Sequence, residues 1–388
     1  MKVLLITSKP PYPTTDGGCY ATARLIDCFV KADIEFSLFT LCTDKHPFDS
    51  TKFPKKIIDT IEVNHDYINT RISLLGAIRS LFSSDSYNVN RFYNQVIDDR
   101  LKAILKDNYT HVVFDSLYST PYLTTVNDFS GIKTFIRTHN VEHEIWEQNS
   151  LTDSNGLRRA FSKNLSHKLK AYELAALNSC DGILSISEDD TKNFRRLDIE
   201  TEIYDIPVSI EVSKLKPSFI SKKAFHLGSM NWRPNVEAVE KLIDIWPEVQ
   251  ARVNQAELHI AGSGMENWKH PNVEGIIVDG FVQDVDVYAQ RNGILVSPIN
   301  SGSGVKIKIL EMLALGVPII TTGKGAEGLK ETNMLVVANK KSDLIASISD
   351  LLNSEELKRK LSDAGQQYIN KYHNIDRISQ NIKEALSD

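Results

Sequence analysis

The chain has 388 residues, 41% hydrophobic and 24% charged, which suits a globular protein but is too long for one hydrophobic core. Its formal net charge of −5 gives no general attraction to nucleic acid, so any anion site must be local. The four cysteines, Cys19, Cys28, Cys42 and Cys180, form no CxxC pair and no zinc spacing with histidine, which fits a reducing compartment rather than a disulfide framework.

The opening stretch MKVLLITSKPPYP has an apolar run too short for a signal peptide, and no segment approaches the ~20 apolar residues of a membrane span. The expectation is a cytoplasmic protein, with peripheral contact at the inner membrane surface left open. KVLLIT (2–7) reads as a buried strand, YATARLIDCFVKA (20–32) as a helix and IEFSLFTL (34–41) as the next strand. TRISLLGAIRSLF (70–82) places Leu74, Leu75, Ile78, Leu81 and Phe82 on one helical face flanked by Arg71 and Arg79. That pattern suits either a core-facing helix or one lying on an anionic bilayer. HVVFDS (111–116), KTFIRTHN (133–140) and DGILSIS (181–187) continue the strands. This is the rhythm of a parallel sheet with helices on both faces.

The segment DIPVSIEVSKLKPSFISKK (205–223) has weak periodicity and reads as a linker. A second series follows: AFHLGSM (224–230), ELHIAGSG (257–264), GIIVDGFV (275–282), GILVSP (293–298) and PIITT (318–322). The expected division is an N-terminal domain over 1–205, a linker over 206–223 and a C-terminal domain over 224–369, with a last helix over about 370–388 packing back on the first. In open α/β sheets ligands bind beyond the carboxyl ends of the strands, so the loops after the strands are where function is sought.

One such loop is unusual. PINSGSGVKIKILEMLALGVPIITT (298–322) leads from small residues into a helix expected over Val305–Leu315, with Lys306 and Lys308 in its first turn. Helix N-termini already carry partial positive charge and prefer acidic residues by roughly 0.3–1 kcal/mol each. Two lysines there make sense if an anion such as a diphosphate occupies the free N–H groups, with glycines permitting close backbone approach. Gly316 terminates the helix, followed by Pro318. Glu311 is spaced to accept from two vicinal hydroxyls of a ribose, or to pair with Lys308 at i,i+3.

SGSGVKIKILEMLALGVPIITTGKGAEGL resembles the nucleotide-sugar site of GT-B glycosyltransferases, specifically the retaining family 4, the glycosyl transferases group 1. FHLGSMNWRPNVEAV is similar to the first strand–loop–helix of that family's donor domain in one subgroup, and SYNVNRFYN (86–94) also resembles that subgroup. PPYPTTDGG is similar to its first glycine loop, RTHNVEHE to the loop carrying its active-site histidine and SISEDD to another loop of the site. The likeness covers nearly the whole chain. It implies an α/β fold of the GT-B type, with two Rossmann-like doubly wound domains facing a central cleft.

By resemblance, Lys306 neutralises the donor diphosphate, Glu311 holds the ribose, and the backbone of Gly302, Ser303 and Gly304 contacts the sugar or its phosphate. Gly228, Arg233 and Glu327 join the donor site. Asp16, Gly17 and Gly18 form the glycine loop, and His139 contacts the transferred sugar or stabilises charge at its anomeric carbon. Two departures stand out. A second family glutamate, eight residues before the ribose-binding one, is replaced by Ser303, and an Arg and a Lys after the first donor-domain strand are replaced by Ser229 and roughly Pro234.

Each residue also has a plainer reading. His139 could simply bond a neighbouring loop. Glu142 could fix the imidazole, bind acceptor or stabilise a helix N-terminus, and Glu327 could be a cap. Asp284 in DVD (284–286) reads as an N-cap rather than a metal ligand. GSGMEN lacks the third glycine of a dinucleotide fingerprint. The expected function is transfer of a sugar from a nucleoside-diphosphate donor to a hydroxyl of a glycan, glycolipid or polysaccharide precursor, with retention implied by the resemblance. The substrate is the nucleotide-sugar, with no cofactor, no metal and no nucleic acid. The alternatives are a nucleotide-sugar epimerase of the same fold and a non-catalytic two-lobed sugar-binding protein.

Overall fold

A computed structural model of the chain describes residues 1–71, 86–152, 156–214, 217–265, 273–302 and 304–388. They divide into two units, one of residues 1–209 with 375–388 and one of residues 210–374.

The first unit holds seven strands: β1 (Lys2–Thr7), β2 (Glu35–Cys42), β3 (Val63–Tyr67), β4 (His111–Asp115), β5 (Lys133–Thr138), β6 (Gly182–Ser185) and β7 (Ile203–Asp205). Every pairing is parallel, in the order β3-β2-β1-β4-β5-β6-β7. Val3, Leu4, Leu5 and Ile6 are all fully buried, because helices cover both faces of the sheet. Val3 and Leu5 pack with Ile26, Phe29 and Leu38, together with Ile378, Ile382 and Leu386 of the helix Ile375–Ser387. Leu4 and Ile6 face the other way, into a core with Phe39, Leu101, Phe114, Tyr122 and Leu177.

The second unit holds β8 (Lys223–Leu227), β9 (Glu257–Ala261), β10 (Ile276–Gly280), β11 (Ile294–Ser297), β12 (Ile319–Thr321) and β13 (Val336–Val337), in the order β10-β9-β8-β11-β12-β13. Leu258, Ile260, Val296 and Ile320 pack there with Leu242, Trp246 and Ile348 of the covering helices.

In each sheet the strand order reverses once, between β1 and β4 and between β8 and β11. Those reversals create the crevices where ligands bind in open α/β sheets. The loops after β8 (228–232) and β11 (298–306) therefore meet at one crevice, and the loops after β1 and β4 at the other.

Three strands differ from the sequence expectation. β3 reads VNHDY, an edge strand too polar to carry an apolar pattern. β7 and β13 are edge strands of three and two residues, too short for one. The helix expected from Val305 begins at Ile307 and ends at Ala314. Gly302 and Gly304 hold φ of 101° and 69°, and the backbone is still extended at Lys306, so the first helical turn forms only beyond it. Lys306 is consequently the N-cap residue, with φ −85° and ψ 93°, and Lys308 alone of the two lysines lies in the first turn. Of the expected helix over 70–82, residues 72–82 lie outside the described residues. Among the described residues no helix is long and apolar enough to cross a membrane.

Candidate active site

In the second unit the site grows from the loop after β11. The Lys306 side chain is only 9% exposed. Its Nζ donates to the Gly304 carbonyl at 2.6 Å and lies 3.7 Å from Glu327 Oε2. Glu327 in turn accepts from Lys324 at 2.9 Å. The loop thus gathers two ammonium groups around one carboxylate beside the start of the helix Ile307–Ala314, whose N-terminus has no side-chain cap. An uncapped helix N-terminus with a cation folded over it is chemically a receptor for an anion.

The remaining donor-side residues are placed as follows. Gly228 follows β8, and a Cβ there would strike Asn235, whose Nδ2 donates to the Ser229 carbonyl at 3.0 Å. Glu311 pairs with Lys308 at 3.1 Å, the i,i+3 arrangement foreseen as the alternative to a ribose contact. The Arg233 side chain is 84% exposed and pairs with Glu237 at 2.7 Å on its own helix. Ser303 lies outside the described residues. Asp284 is an N-cap, accepting from the Val287 amide at 3.0 Å.

In the first unit, Asp16 caps the helix Gly17–Lys31 by accepting from the Cys19 amide at 2.9 Å. Lys9 Nζ reaches both of its oxygens, at 2.7 and 2.8 Å. Burial alone would raise the Asp16 pKa, but the charge and hydrogen bonds of Lys9 bring it down to about 2. Gly18 lies close beneath this pair, its Cβ position 2.8 Å from Lys9 Nζ. The ligand atoms of Asp16, Cys19 and His46 lie within 4.8 Å of one another, a geometry compatible with a metal ion. A cation there would have to displace the Lys9 ammonium, and burial raises the Cys19 pKa, keeping a thiol where a metal wants a thiolate.

His139 follows β5 directly. Its Nε2 lies 2.7 Å from Asp115 Oδ1 at the end of β4. Asp115 also accepts from Arg137 Nη1 at 2.9 Å and from Thr22 Oγ1. The side chains of Asp115 and Arg137 are 1% and 2% exposed. Burial pushes the Asp115 pKa up, yet His139 and Arg137 more than reverse this and hold it well below the carboxylate range. The ionised carboxylate fixes the imidazole by Nε2, leaving Nδ1 as the ring nitrogen not taken by Asp115. Ser116, the next residue, has φ 89° and ψ 153°, a strained conformation for a non-glycine residue of the kind that clusters at functional sites.

The histidine thus bonds a neighbouring element, as its plainer reading required, and that same bond orients the ring. Asp115, Arg137 and Thr22 were missed in the sequence. One signal was available: Arg137 interrupts the apolar run FIRT and shares a strand face with His139 by the period of two.

Glu142 opens the helix Glu142–Thr152. It accepts from Tyr118 Oη at 2.9 Å and from Asn140 at 3.5 Å, so Asp115 rather than Glu142 holds the imidazole. Burial, then the neighbouring Glu173 charge, push the Glu142 pKa up to about 7 against the partial offset of the Tyr118 bond. Glu173 itself accepts from the Glu142 amide at 2.9 Å and from the His143 amide at 3.1 Å.

Residues 221–354 match the family model described as "Glycosyl transferases group 1". An uncharacterized 44.6 kDa protein in the cps region of Klebsiella pneumoniae is 23% identical over 370 residues, 87% of each chain. Sucrose-phosphate synthase from Thermosynechococcus elongatus superposes with a TM-score of 0.71 at 14% identity, over 99% of this chain and 98% of that one. HepE of Anabaena, in complex with UDP and glucose, gives 0.65 at 14% identity over 100% and 99%. The pneumococcal O-GlcNAc transferase GtfA, in complex with UDP and GlcNAc, gives 0.66 at 12% over 100% and 98%. With two all-parallel sheets that each reverse strand order once, and residues 221–354 similar to the glycosyl transferases group 1 model, the chain is a glycosyltransferase of the GT-B fold.

Proposed function

We propose that this glycosyltransferase is a retaining, metal-independent enzyme of the family 4 type. It moves a sugar from a nucleoside-diphosphate donor to a hydroxyl of a glycan, glycolipid or polysaccharide precursor. It acts in the cytoplasm, peripherally at the inner membrane surface where the acceptor is lipid-linked. The observation that carries the reading is Lys306, a nearly buried ammonium at the N-cap of an uncapped helix, behind a loop whose glycines take positive φ. The UDP held by HepE and GtfA supports a nucleoside diphosphate as the anion.

In the C-terminal domain, Lys306 and the helix N-terminus bind the diphosphate, and their attraction grows as negative charge builds on the leaving group. Fixed cations do the work a metal would otherwise do. The backbone at Gly302–Gly304 approaches the sugar phosphate, Gly228, Arg233 and Glu327 complete the donor site, and Glu311 exchanges Lys308 for the ribose hydroxyls. In the N-terminal domain, Asp16, the helix start at Gly17 and Gly18, and Glu142 receive the acceptor. His139, held by Asp115, stabilises positive charge developing at the anomeric carbon.

The test is nucleoside diphosphate release from a panel of nucleotide-sugars with acceptor present. Lys306→Ala should lower kcat about 10²–10³-fold, the loss typical of removing one preorganised charge stabiliser. An unchanged kcat would remove the assignment, and a rearranged nucleotide-sugar without release would identify an epimerase instead.

A further inference from the structure

Trp232 is a large aromatic side chain that the core does not use. It stands at the N-cap of the helix Arg233–Arg252, in the loop after β8, and is 41% exposed. Trp246 on the same helix is fully buried and does the packing. The loop that carries Trp232 is tightly held. The Gly228 amide donates to the Ala261 carbonyl at 3.0 Å, the Met230 amide to the Ser263 carbonyl at 2.8 Å, and the Trp232 amide to the Ser229 carbonyl at 3.2 Å. Asn235 Nδ2 bonds the same Ser229 carbonyl at 3.0 Å. A ring on such a loop is preorganised, so little freedom is lost when a ligand packs on it.

Its position is specific. The point a Cβ would occupy at Gly302 lies 3.0 Å from Trp232 Cζ2, 3.3 Å from its Cη2 and 3.8 Å from Lys306 Cε. The indole therefore lies against Gly302, and the Lys306 stem approaches the same point, at the crevice where the order of the second sheet reverses. Gly302, at φ 101° and with no Cβ, is what lets the ring come so close. An exposed aromatic face beside a buried ammonium is a two-part receptor, for a ring carrying apolar C–H groups and for the phosphate joined to it.

In a nucleotide-sugar, the transferred pyranose is joined to the diphosphate through a single oxygen, whereas the base lies beyond the ribose. A ring that meets the same Gly302 position as the Lys306 stem is placed for the group bonded directly to the diphosphate, while the base lies farther away, beyond the ribose. We propose that the Trp232 indole is the platform on which the transferred sugar ring of the donor stacks, a sugar subsite within the C-terminal domain. The proposal rests on the donor-site reading above.

The full chain is titrated calorimetrically with UDP-glucose, UDP-galactose, UDP-N-acetylglucosamine and GDP-mannose, and the tightest-binding of these is compared with its free nucleoside diphosphate. Trp232→Ala should weaken the nucleotide-sugar five- to twentyfold while the free diphosphate stays within twofold, which also shows that the domain is folded. Trp232→Phe should restore nucleotide-sugar affinity to within threefold of wild type. Trp232→Leu, apolar but without an aromatic face, should remain as weak as the alanine variant. Equal losses for sugar-nucleotide and diphosphate, rescue by leucine, or no loss at all would each overturn the subsite while leaving the donor site standing. A wild-type chain that binds neither kind of ligand would overturn both.

Discussion

Asp115 shows how much one residue organises in the first unit. Its carboxylate meets Arg137, His139 and Thr22 at the carboxyl end of β4, beside the strained Ser116. A fully buried ion pair contributes little relative to an apolar pair, but removing one partner leaves a charge uncompensated. Asp115→Asn should therefore destabilise the protein by about 3–5 kcal/mol, measured by urea denaturation. A loss below about 1 kcal/mol would mean that Arg137 finds another counter-charge. Lys306 shows the complementary case. Its ammonium donates to the Gly304 carbonyl and lies 3.7 Å from Glu327 Oε2, so it is already held among local partners at the helix start.

Among the elements, the helix Ile375–Ser387 is the instructive one. It comes last in the chain, after every strand of the second unit, yet belongs to the first unit. The reason is an apolar stripe of Ile378, Ile382, Ala385 and Leu386 that meets Val3, Leu5 and Phe29. Lys31 and Asp376 add an exposed ion pair at 2.7 Å, worth little by itself. Ile382 is 1% exposed, so Ile382→Ala should cost about 2–4 kcal/mol with an unchanged denaturant slope. A cost under about 1 kcal/mol would show that this helix is not part of the cooperative core.

At the scale of the whole molecule, buried titratable groups couple stability to pH. Glu142 has a folded pKa of about 7 against an ordinary 4.5. Below 4.5 both folded and unfolded chains hold the proton. Between 4.5 and about 7 the folded chain keeps a proton that the unfolded chain releases, so this group's contribution falls as pH rises, then levels off. Glu142→Gln removes the titration. The variant should gain on wild type between pH 5 and pH 8 by on the order of 1 kcal/mol, read from thermal or urea unfolding at each pH. A difference independent of pH would mean that Glu142 is ionised throughout the range.

The strands β1, β2, β4, β5, β6, β8, β9, β11 and β12 were legible in the sequence, because strands covered on both faces are predominantly apolar, and so was the edge strand β10 with its apolar IIV run. So was the terminating Gly316, whose φ is 71°. The glycines and lysines from which anion binding is proposed were legible too, and Gly302 and Gly304 do take positive φ ahead of the helix. The edge strands β3, β7 and β13 were not, since an edge needs backbone pairing more than apolar side chains. Nor was the start of the helix at Ile307, which follows from the extended backbone of Lys306. Tertiary structure alone brought Asp115 to His139 and Trp232 to Gly302. Those partners lie on different strands or in different loops, and only the order of the strands in each sheet makes them neighbours.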